Sequence, residues 1–180
     1  NFLKKNNHNK FLIFGFTFII WDFFHKLKLN NLKFKFDNGI IFHGGGWKKM
    51  LNKKIDNKKF KKYLIKNFNI NKIYNYYGMV EQPGSIFTEC DIGDRLHCSN
   101  FSDIIIRDSQ LNKLPHNKKG IIQVLSLLPE SYPGHNLITE DLGEILGEDD
   151  CPCGRKGKYF IVHGRIPRAE VRGCSDVYFE

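Results

Sequence analysis

Residues 70–85 read INKIYNYYGMVEQPGS, and this stretch says most about the fold and the chemistry of the chain. The residues up to Gly78 are rich in β-branched and aromatic side chains, which predicts a strand that stops at the glycine. An aromatic residue and a glycine at a strand end, followed three residues later by the carboxylate of Glu81, can stack a base and hold a metal near phosphates. The alternative is a tight turn from strand to loop.

A glycine triplet lies upstream, in the sequence IIFHGGGWKK of residues 40–49. The pattern predicts a strand, a turn at Gly44, Gly45 and Gly46, and a helix start. Backbone groups can approach a flat or anionic ligand where no Cβ intervenes. The spacing matches neither the phosphate loop nor the dinucleotide fingerprint, and a turn that needs positive φ explains it equally well. The pairing with residues 70–85 favours a ligand site.

The first half of the chain predicts strands that alternate with helices. Residues 11–24 indicate a buried strand running into a helix, and residues 33–42 have apolar side chains with period two around a turn. Residues 55–68 predict a helix with Asp56 as N-cap. One face of this helix carries Phe60, Tyr63, Leu64 and Phe68. Alternating strands and helices predict a largely parallel sheet.

The second half predicts a small, mostly antiparallel β unit, because short β-rich runs are separated by proline, glycine and acidic turns. The runs are residues 85–90, 102–108, 120–128 and 156–164. Between them, the acidic stretch that begins at residue 137 contains Asp141, which could accept hydrogen bonds from ribose hydroxyls. Arg165 could contact a ribose or a phosphate. We expect most of the other acids to lie in a solvated loop.

Five cysteines at irregular spacing argue against a disulfide framework and favour a reducing, cytoplasmic setting. Cys151 and Cys153 supply two soft ligands, whereas a structural zinc site generally has four. Residues 90–98 offer Cys90, His97 and Cys98 for the remainder. Cys90 and His97 together with Cys151 and Cys153 would form a Cys₃His zinc site that pins two β segments together.

The net charge of +9 is unevenly distributed. Residues 1–82 hold 17 lysines, no arginine and 4 acids, a net +13, whereas residues 83–180 hold 11 basic and 15 acidic residues, a net −4. The lysines are mixed with Asn, Ile and Phe, as at solvated positions, so we expect no nucleic-acid partner. Residues 11–24 are interrupted by Asp22 and are shorter than the roughly 20 residues of a membrane span.

Four longer motifs resemble a known family. HGGGWKK, YYGMVEQPGSIFTEC, the stretch from residue 119 to 160, and GRIPRAEVRGCSD are similar to the C-terminal half of the LuxE-type acyl-protein synthetases of bacterial luminescence operons. That family resembles phenylacetate–CoA ligases and other adenylate-forming enzymes. The resemblance implies an α/β fold, the C-terminal part of the large domain of such an enzyme. We expect an α/β portion at residues 1–82, a β-rich subdomain at 83–165 and a C-terminal segment at 166–180.

The resemblance also implies a reaction in two steps. A fatty acid attacks the α-phosphate of ATP, with Mg²⁺, to give an acyl-adenylate, and a cysteine near the C-terminus then takes the acyl group as a thioester. Cys174, in RGCSD, matches that cysteine, and a neighbouring arginine such as Arg172 would lower the pKa of its thiol. The implied partners are an acyl reductase and an acyl transferase.

Site roles follow from the resemblance position by position. Gly44, Gly45 and Gly46 match the lining of the adenine pocket, and Tyr77, next to Gly78, matches the aromatic residue that stacks on the base. The remaining matches are Glu81 with the magnesium-binding carboxylate, Asp141 with the acid that holds the ribose, and Arg165 with the arginine contacting ribose or phosphate. Val80 stands where the wider superfamily has a threonine.

Two other functions stay open. The adenylate could be transferred to coenzyme A, as in the phenylacetate–CoA ligases, or the chain could be a zinc-stapled binding module without catalysis. The phosphate loop and much of the acyl pocket of the family have no counterpart in these residues. We therefore expect the 180 residues to be part of a longer enzyme and to be inactive or feeble alone.

Overall fold

The computed structural model of the chain describes residues 10–31, 35–47 and 55–167. These residues form two compact units, which divide between residues 75 and 76. Within the described residues, no helix is long and apolar enough to cross a bilayer.

The first unit consists of strands and helices in alternation, as predicted. Its elements are β1 (Phe11–Phe16), α1 (Thr17–Leu29), β2 (Gly39–Gly44), α2 (Asn57–Phe68) and β3 (Lys72–Tyr77), whose last two residues belong to the second unit. β1 pairs with β2 in parallel, from Phe11 opposite Gly39 to Phe16 opposite Gly44, and β2 neighbours β3. The strand at residues 11–16 runs directly into a helix, as predicted. The prediction that this strand is buried is wrong, because β1 lies at the end of the strand order, none of its six residues is buried, and Leu12 and Phe14 are 61% and 66% exposed.

Helix α2 is built as its sequence predicts. The Asp56 side chain accepts a hydrogen bond from the backbone N–H of Lys59 over 2.7 Å and so caps the first turn. The helix ends at Asn69, which has a φ of 57° and donates its N–H to the carbonyl of Ile65. The predicted face packs into an apolar core with α1 and the strands. This core includes Ile20, Phe24, Ile41, Phe60, Leu64, Phe68 and Ile73, with Tyr63 partly buried against it.

The second unit is an antiparallel sheet, which confirms the predicted β subdomain. From the end of β3 the strand order is β3-β4-β5-β9-β8-β7-β6, and every pairing determined in this unit is antiparallel. The strands are β4 (Phe87–Glu89), β5 (Leu96–His97), β6 (Ser102–Arg107), β7 (Gly120–Ser126), β8 (Asn136–Glu148) and β9 (Lys158–Arg165). Its core contains Phe87, Leu96, Ile104, Ile106, Ile122, Val124, Ile145 and Phe160.

Strand β8 corrects one prediction. The acidic stretch that was expected to lie largely in a solvated loop forms, at Asn136–Glu148, a 13-residue strand in the middle of the sheet. Its buried positions are Gly143, Ile145 and Gly147, so two glycines conceal the apolar alternation that marks a strand. Gly143 is required by close packing, since a Cβ there would lie 2.6 Å from the carbonyl oxygen of Ile161.

Candidate functional site

Tyr77 and Asp141 are in direct contact in the second unit. The Tyr77 hydroxyl, at the end of β3, donates a hydrogen bond of 2.8 Å to Oδ2 of Asp141 on β8. Burial and the negative charge of Asp141 raise the pKa of Tyr77 above its ordinary value, so the phenol stays protonated and remains a donor. The Asp141 carboxylate keeps further lone pairs with which it can accept hydrogen bonds from a hydroxyl-bearing ligand.

The backbone beneath Asp141 is held in place by Thr139. The Thr139 hydroxyl donates to the carbonyl of Ile122 on β7 over 2.8 Å and accepts from the N–H of Asp141 over 3.1 Å. Because this hydroxyl ties β8 to β7 at that point, the position of Asp141 is set by the sheet.

Arg165 lies opposite Asp141 in the pairing of β8 with β9. Its Nη1 atom is 3.9 Å from Oε2 of Glu140, and its side chain is 45% exposed. An ion pair this long and exposed contributes little to stability, and a guanidinium is a suitable group for contacting an anionic ligand. The structure thus brings three of the predicted site residues, Tyr77, Asp141 and Arg165, to one region of the second unit.

Glu81 lies in the loop that follows β3. The loop begins at Gly78, where a Cβ would lie 3.3 Å from the carbonyl oxygen of Ser85. Glu81 is exposed, and within the described part of the chain no hydrogen bond or ion pair engages its carboxylate. A hard oxygen ligand of this kind suits Mg²⁺. The residues present therefore fit the metal that the sequence predicts.

The three glycines lie at the end of β2, in the first unit. Gly44 is the last residue of the strand, and Gly45 has a φ of 74°, a conformation that side chains rarely adopt. A Cβ on Gly46 would meet no atom within 4 Å. The turn therefore needs a glycine at one of the three positions. The predicted helix start after Trp47 falls on residues outside the described part of the chain.

Sequence reasoning missed His43, which immediately precedes these glycines. His43 is 2% exposed, and its Nδ1 atom lies 3.0 Å from the hydroxyl of Thr17, which donates to the carbonyl of Gly44. Because the single hydroxyl proton goes to that carbonyl, His43 carries its proton on Nδ1. Burial, with the positive charge of Lys61, lowers its pKa to about 3, so the ring is neutral. A histidine beside a glycine triplet is the feature that could have drawn attention to it.

The predicted metal ligands form a cluster in the second unit. One ligand atom from each of Cys90, His97, Cys151 and Cys153 lies within 4.8 Å of the others. Cys90 follows β4, His97 lies on β5, and the other two lie between β8 and β9. The distance from Sγ of Cys153 to Nε2 of His97 is 3.5 Å. Zinc bound tetrahedrally at ordinary bond lengths would separate S and N ligands by about 3.6 Å, so the donor set and spacing fit zinc.

The surroundings of the cluster shift the pKa values of its residues in different directions. Burial and the charges of Arg155 and Arg95 lower the pKa of His97, which keeps its ring neutral. Burial raises the pKa of Cys90 to about 11, with its neighbouring thiols adding to the effect. Burial acts in the same direction on Cys151. Its pKa is nevertheless lowered, because the N–H of Cys153 and the Arg95 guanidinium donate to its sulfur. Bound zinc would hold these thiols as thiolates.

The two other cysteines of the chain are Cys98 and Cys174. Cys98, which the sequence offered as an alternative ligand, is not in the cluster. Burial raises the pKa of its thiol to about 12, as expected for a structural cysteine. Cys174, the predicted acyl acceptor, lies outside the described residues, as does Arg172.

Solved structures with the same fold define the class. A 2-hydroxyisobutyryl-CoA ligase in an open conformation, in complex with 2-HIB-AMP and CoA, aligns with a TM-score of 0.69 over 87% of this chain and 34% of its own, at 18% identity. ATP-bound MatB from Rhodopseudomonas palustris gives 0.58 over 89% and 32%, at 16% identity. McyG A-PCP with phenylalanyl-adenylate gives 0.60 over 91% and 31%, at 16% identity. The fold is that of adenylate-forming enzyme domains, which confirms the predicted class.

The family model described as acyl-protein synthetase, LuxE, matches residues 2–180, and the chain belongs to this family. Two curated relatives are each named long-chain-fatty-acid–luciferin-component ligase. The one from Aliivibrio fischeri is 26% identical over 179 residues, 97% of this chain and 46% of the relative. The one from Vibrio harveyi is 24% identical over 138 residues, 75% of this chain and 35% of the relative. The chain thus spans less than half the length of these relatives.

Proposed function

We propose that this chain is part of a ligase that activates a long-chain fatty acid with ATP and transfers the acyl group to its own Cys174. The observation that supports this most directly is the contact between Tyr77 and Asp141, in a chain of the acyl-protein synthetase family. It gives a partly buried aromatic ring beside a carboxylate with free lone pairs, a combination suited to an adenine base and its ribose.

Each side chain has a role in this proposal. Tyr77 stacks on the adenine, Asp141 accepts from the ribose hydroxyls, and Arg165 contacts the ribose or a phosphate. Glu81 would hold Mg²⁺, which neutralises phosphate charge when bound. The role of Gly44, Gly45 and Gly46 in adenine binding stays a prediction from the family resemblance.

The proposed chemistry forms and breaks two bonds. A carboxylate oxygen of the fatty acid attacks the α-phosphorus of ATP, and the bond to the leaving pyrophosphate breaks. The thiolate of Cys174 then attacks the acyl carbon, and AMP leaves. The resulting thioester keeps the acyl group activated for an acyl reductase, with an acyl transferase as a further partner, in a luminescence pathway of the cytoplasm.

The test uses the complete enzyme that contains these residues. Incubated with ATP, Mg²⁺ and a radiolabelled long-chain acid, the enzyme should carry a label that hydroxylamine removes, and Cys174→Ser should abolish it. Cys98→Ala, a change at a cysteine outside the site, should retain it. Label that persists in Cys174→Ser would remove Cys174 from the mechanism, and acyl-CoA formed on addition of coenzyme A would move the acceptor to that thiol.

We also propose that Cys90, His97, Cys151 and Cys153 hold one structural Zn²⁺. The spacing of the ligand atoms supports this. The ion would join the end of β4 and strand β5 to the β8–β9 connection, in which Cys153 is 56 positions from His97. The division into segments at residues 82 and 165 remains a prediction, as does the inactivity of the 180 residues alone.

A further inference from the structure

The loop that carries Glu81 is bonded to a second loop of the same unit. The Glu81 loop is residues 78–86, and the β7–β8 loop is residues 127–135. The hydroxyl of Tyr132 donates to the carbonyl oxygen of Glu81 over 2.9 Å. Nε2 of Gln82 donates to the carbonyl oxygen of Gly134 over 2.7 Å. Two consecutive residues of the Glu81 loop are thus held by one neighbouring loop.

A buried pair of serines fixes the bases of the two loops. Oγ of Ser85 donates to Oγ of Ser126 over 2.7 Å, and both residues are buried. The N–H of Ser126 donates to the carbonyl of His135 over 2.9 Å, which closes the β7–β8 loop at its ends. The loops therefore cannot separate without breaking hydrogen bonds that are shielded from water.

The side chain of Gln82 fixes the position of the Glu81 loop more than it stabilises the folded protein. Its side chain is fully buried, and within the described residues its Oε1 atom has no hydrogen-bond partner. An unsatisfied buried acceptor is unfavourable compared with an apolar side chain of the same size. The carboxamide of Gln82, the residue next to Glu81, supplies directed bonds to the carbonyl oxygens of Gly134 over 2.7 Å and of Val124 over 3.5 Å.

Tyr132 is placed by its own loop before it contacts Glu81. The N–H of Gly134 donates to the carbonyl of Tyr132 over 2.8 Å. A Cβ on Gly134 would lie 2.8 Å from Cζ of the Tyr132 ring, so the glycine leaves the ring its space. Tyr132 is 39% exposed, so the backbone of its loop sets where the hydroxyl lies.

We propose that the β7–β8 loop supports the magnesium-binding residue, with Tyr132 and Gln82 as positioning residues that set how tightly Glu81 binds the divalent cation accompanying ATP. This inference rests on the proposed role of Glu81. The β7–β8 loop would affect the binding of the metal ion, whereas Tyr77 and Asp141 would contact the adenine and the ribose.

The first measurement tests the support itself and does not depend on any ligand. Tyr132→Phe removes only the hydroxyl, and Gln82→Met replaces the carboxamide by an apolar chain of similar size. In both variants, amide hydrogen exchange should become faster at positions 82 and 85 and stay unchanged in β6. Tyr63→Phe, which removes a hydroxyl in the first unit, is the matched control and should leave the Glu81 loop unaltered.

The second measurement tests the link to the metal, on the complete enzyme that contains this chain. Mn²⁺ is titrated in the presence of ATP and followed by electron paramagnetic resonance. Tyr132→Phe and Gln82→Met should weaken Mn²⁺ binding about tenfold, the usual effect of losing a residue that supports a metal ligand. Their affinity for ATP without metal should be that of the wild type. Glu81→Gln should weaken Mn²⁺ binding at least as much.

The outcomes are distinct. Unchanged hydrogen exchange in both loop variants would show that Tyr132 and Gln82 do not hold the Glu81 loop in place. Faster exchange with unchanged Mn²⁺ affinity, while Glu81→Gln lowers that affinity, would overturn the positioning role alone. No effect of Glu81→Gln, or no binding of Mn²⁺ with ATP to the wild type, would instead count against the proposed function.

Discussion

The hydroxyl of Tyr77 donates a hydrogen bond to Oδ2 of Asp141 over 2.8 Å, although 64 positions separate the two residues in the sequence. The bond joins the residue proposed to stack on adenine to the residue proposed to hold the ribose. Because the Tyr77 hydroxyl donates to the Asp141 carboxylate, a substitution at either residue should change how the other one contacts a ligand.

Asp141→Asn should weaken ATP binding roughly 10- to 100-fold, since a hydrogen bond to a charged group contributes about 1.5–3 kcal/mol. Tyr77→Phe keeps the ring for stacking and should have a smaller effect, which arises from the loss of the bond that orients Asp141. Isothermal titration calorimetry of the complete enzyme with ATP measures both. Equal, full-strength binding by Asp141→Asn and the wild type would show that this carboxylate does not contact the nucleotide.

The chain should bind one Zn²⁺, and Cys151→Ser should lose it. We expect a lower melting temperature in that variant, because each kcal/mol lost lowers the midpoint by roughly 2–4 °C in a protein of this size. Elemental analysis gives the metal content, and calorimetry with and without a chelator gives the stability. Cys98→Ala should keep the metal. A stably folded wild-type sample without metal would contradict the zinc site.

The pH dependence of stability should reveal His43. Its pKa is about 3 in the folded protein, against 6.5 for an ordinary histidine. Between these values the unfolded chain binds a proton that the folded chain does not. The free energy of unfolding should therefore fall as the pH is lowered from about 6.5 toward 3, by up to about 1.4 kcal/mol per pH unit. His43→Asn removes the titrating ring, and urea unfolding from pH 7 to pH 4 should show a shallower decline in it. An unchanged slope would mean that the histidine is not buried in its neutral form.

The N-cap of α2 should make a measurable contribution to the free energy of unfolding. Asp56→Ala removes the acceptor for the N–H of Lys59 and should reduce the free energy of unfolding, whereas Asp56→Asn retains an acceptor and should reduce it less. Urea denaturation of the two variants and the wild type gives the comparison. Equal stability of Asp56→Ala and the wild type would contradict the capping role.

Elements with a regular apolar pattern were predictable from the sequence. The buried face of α2 at Phe60, Leu64 and Phe68 follows from helical spacing, and the end of β3 before Gly78 follows from β-rich residues that meet a glycine. Strand β8 was not predicted as a strand, because glycines occupy two of its buried positions and acids dominate its exposed ones. A strand of this kind can be recognised only from its neighbours, which fill the space that the glycines leave.

The residues of the candidate site were likewise only partly predictable from the sequence. The types of residue that it needs were visible in the sequence, from Glu81 after the strand to the pair Cys151 and Cys153. The supporting roles of Gln82 and Tyr132 were not visible, although both residues lie within the quoted motifs, since they act through contacts with backbone carbonyls. A hydrogen bond between distant segments leaves no periodicity for sequence reasoning to detect.

The sequence by itself determined the local elements, the division into an α/β half and a β-rich half, and the family resemblance, because each of these rests on short patterns read along the chain. Only the tertiary structure decided which distant residues meet. The order of strands β3-β4-β5-β9-β8 places the hydroxyl of Tyr77 against Asp141 and closes the four ligands from Cys90 to Cys153 into one cluster. The physical reason is that strand order and register depend on how the whole apolar surface is buried, which no single segment can specify.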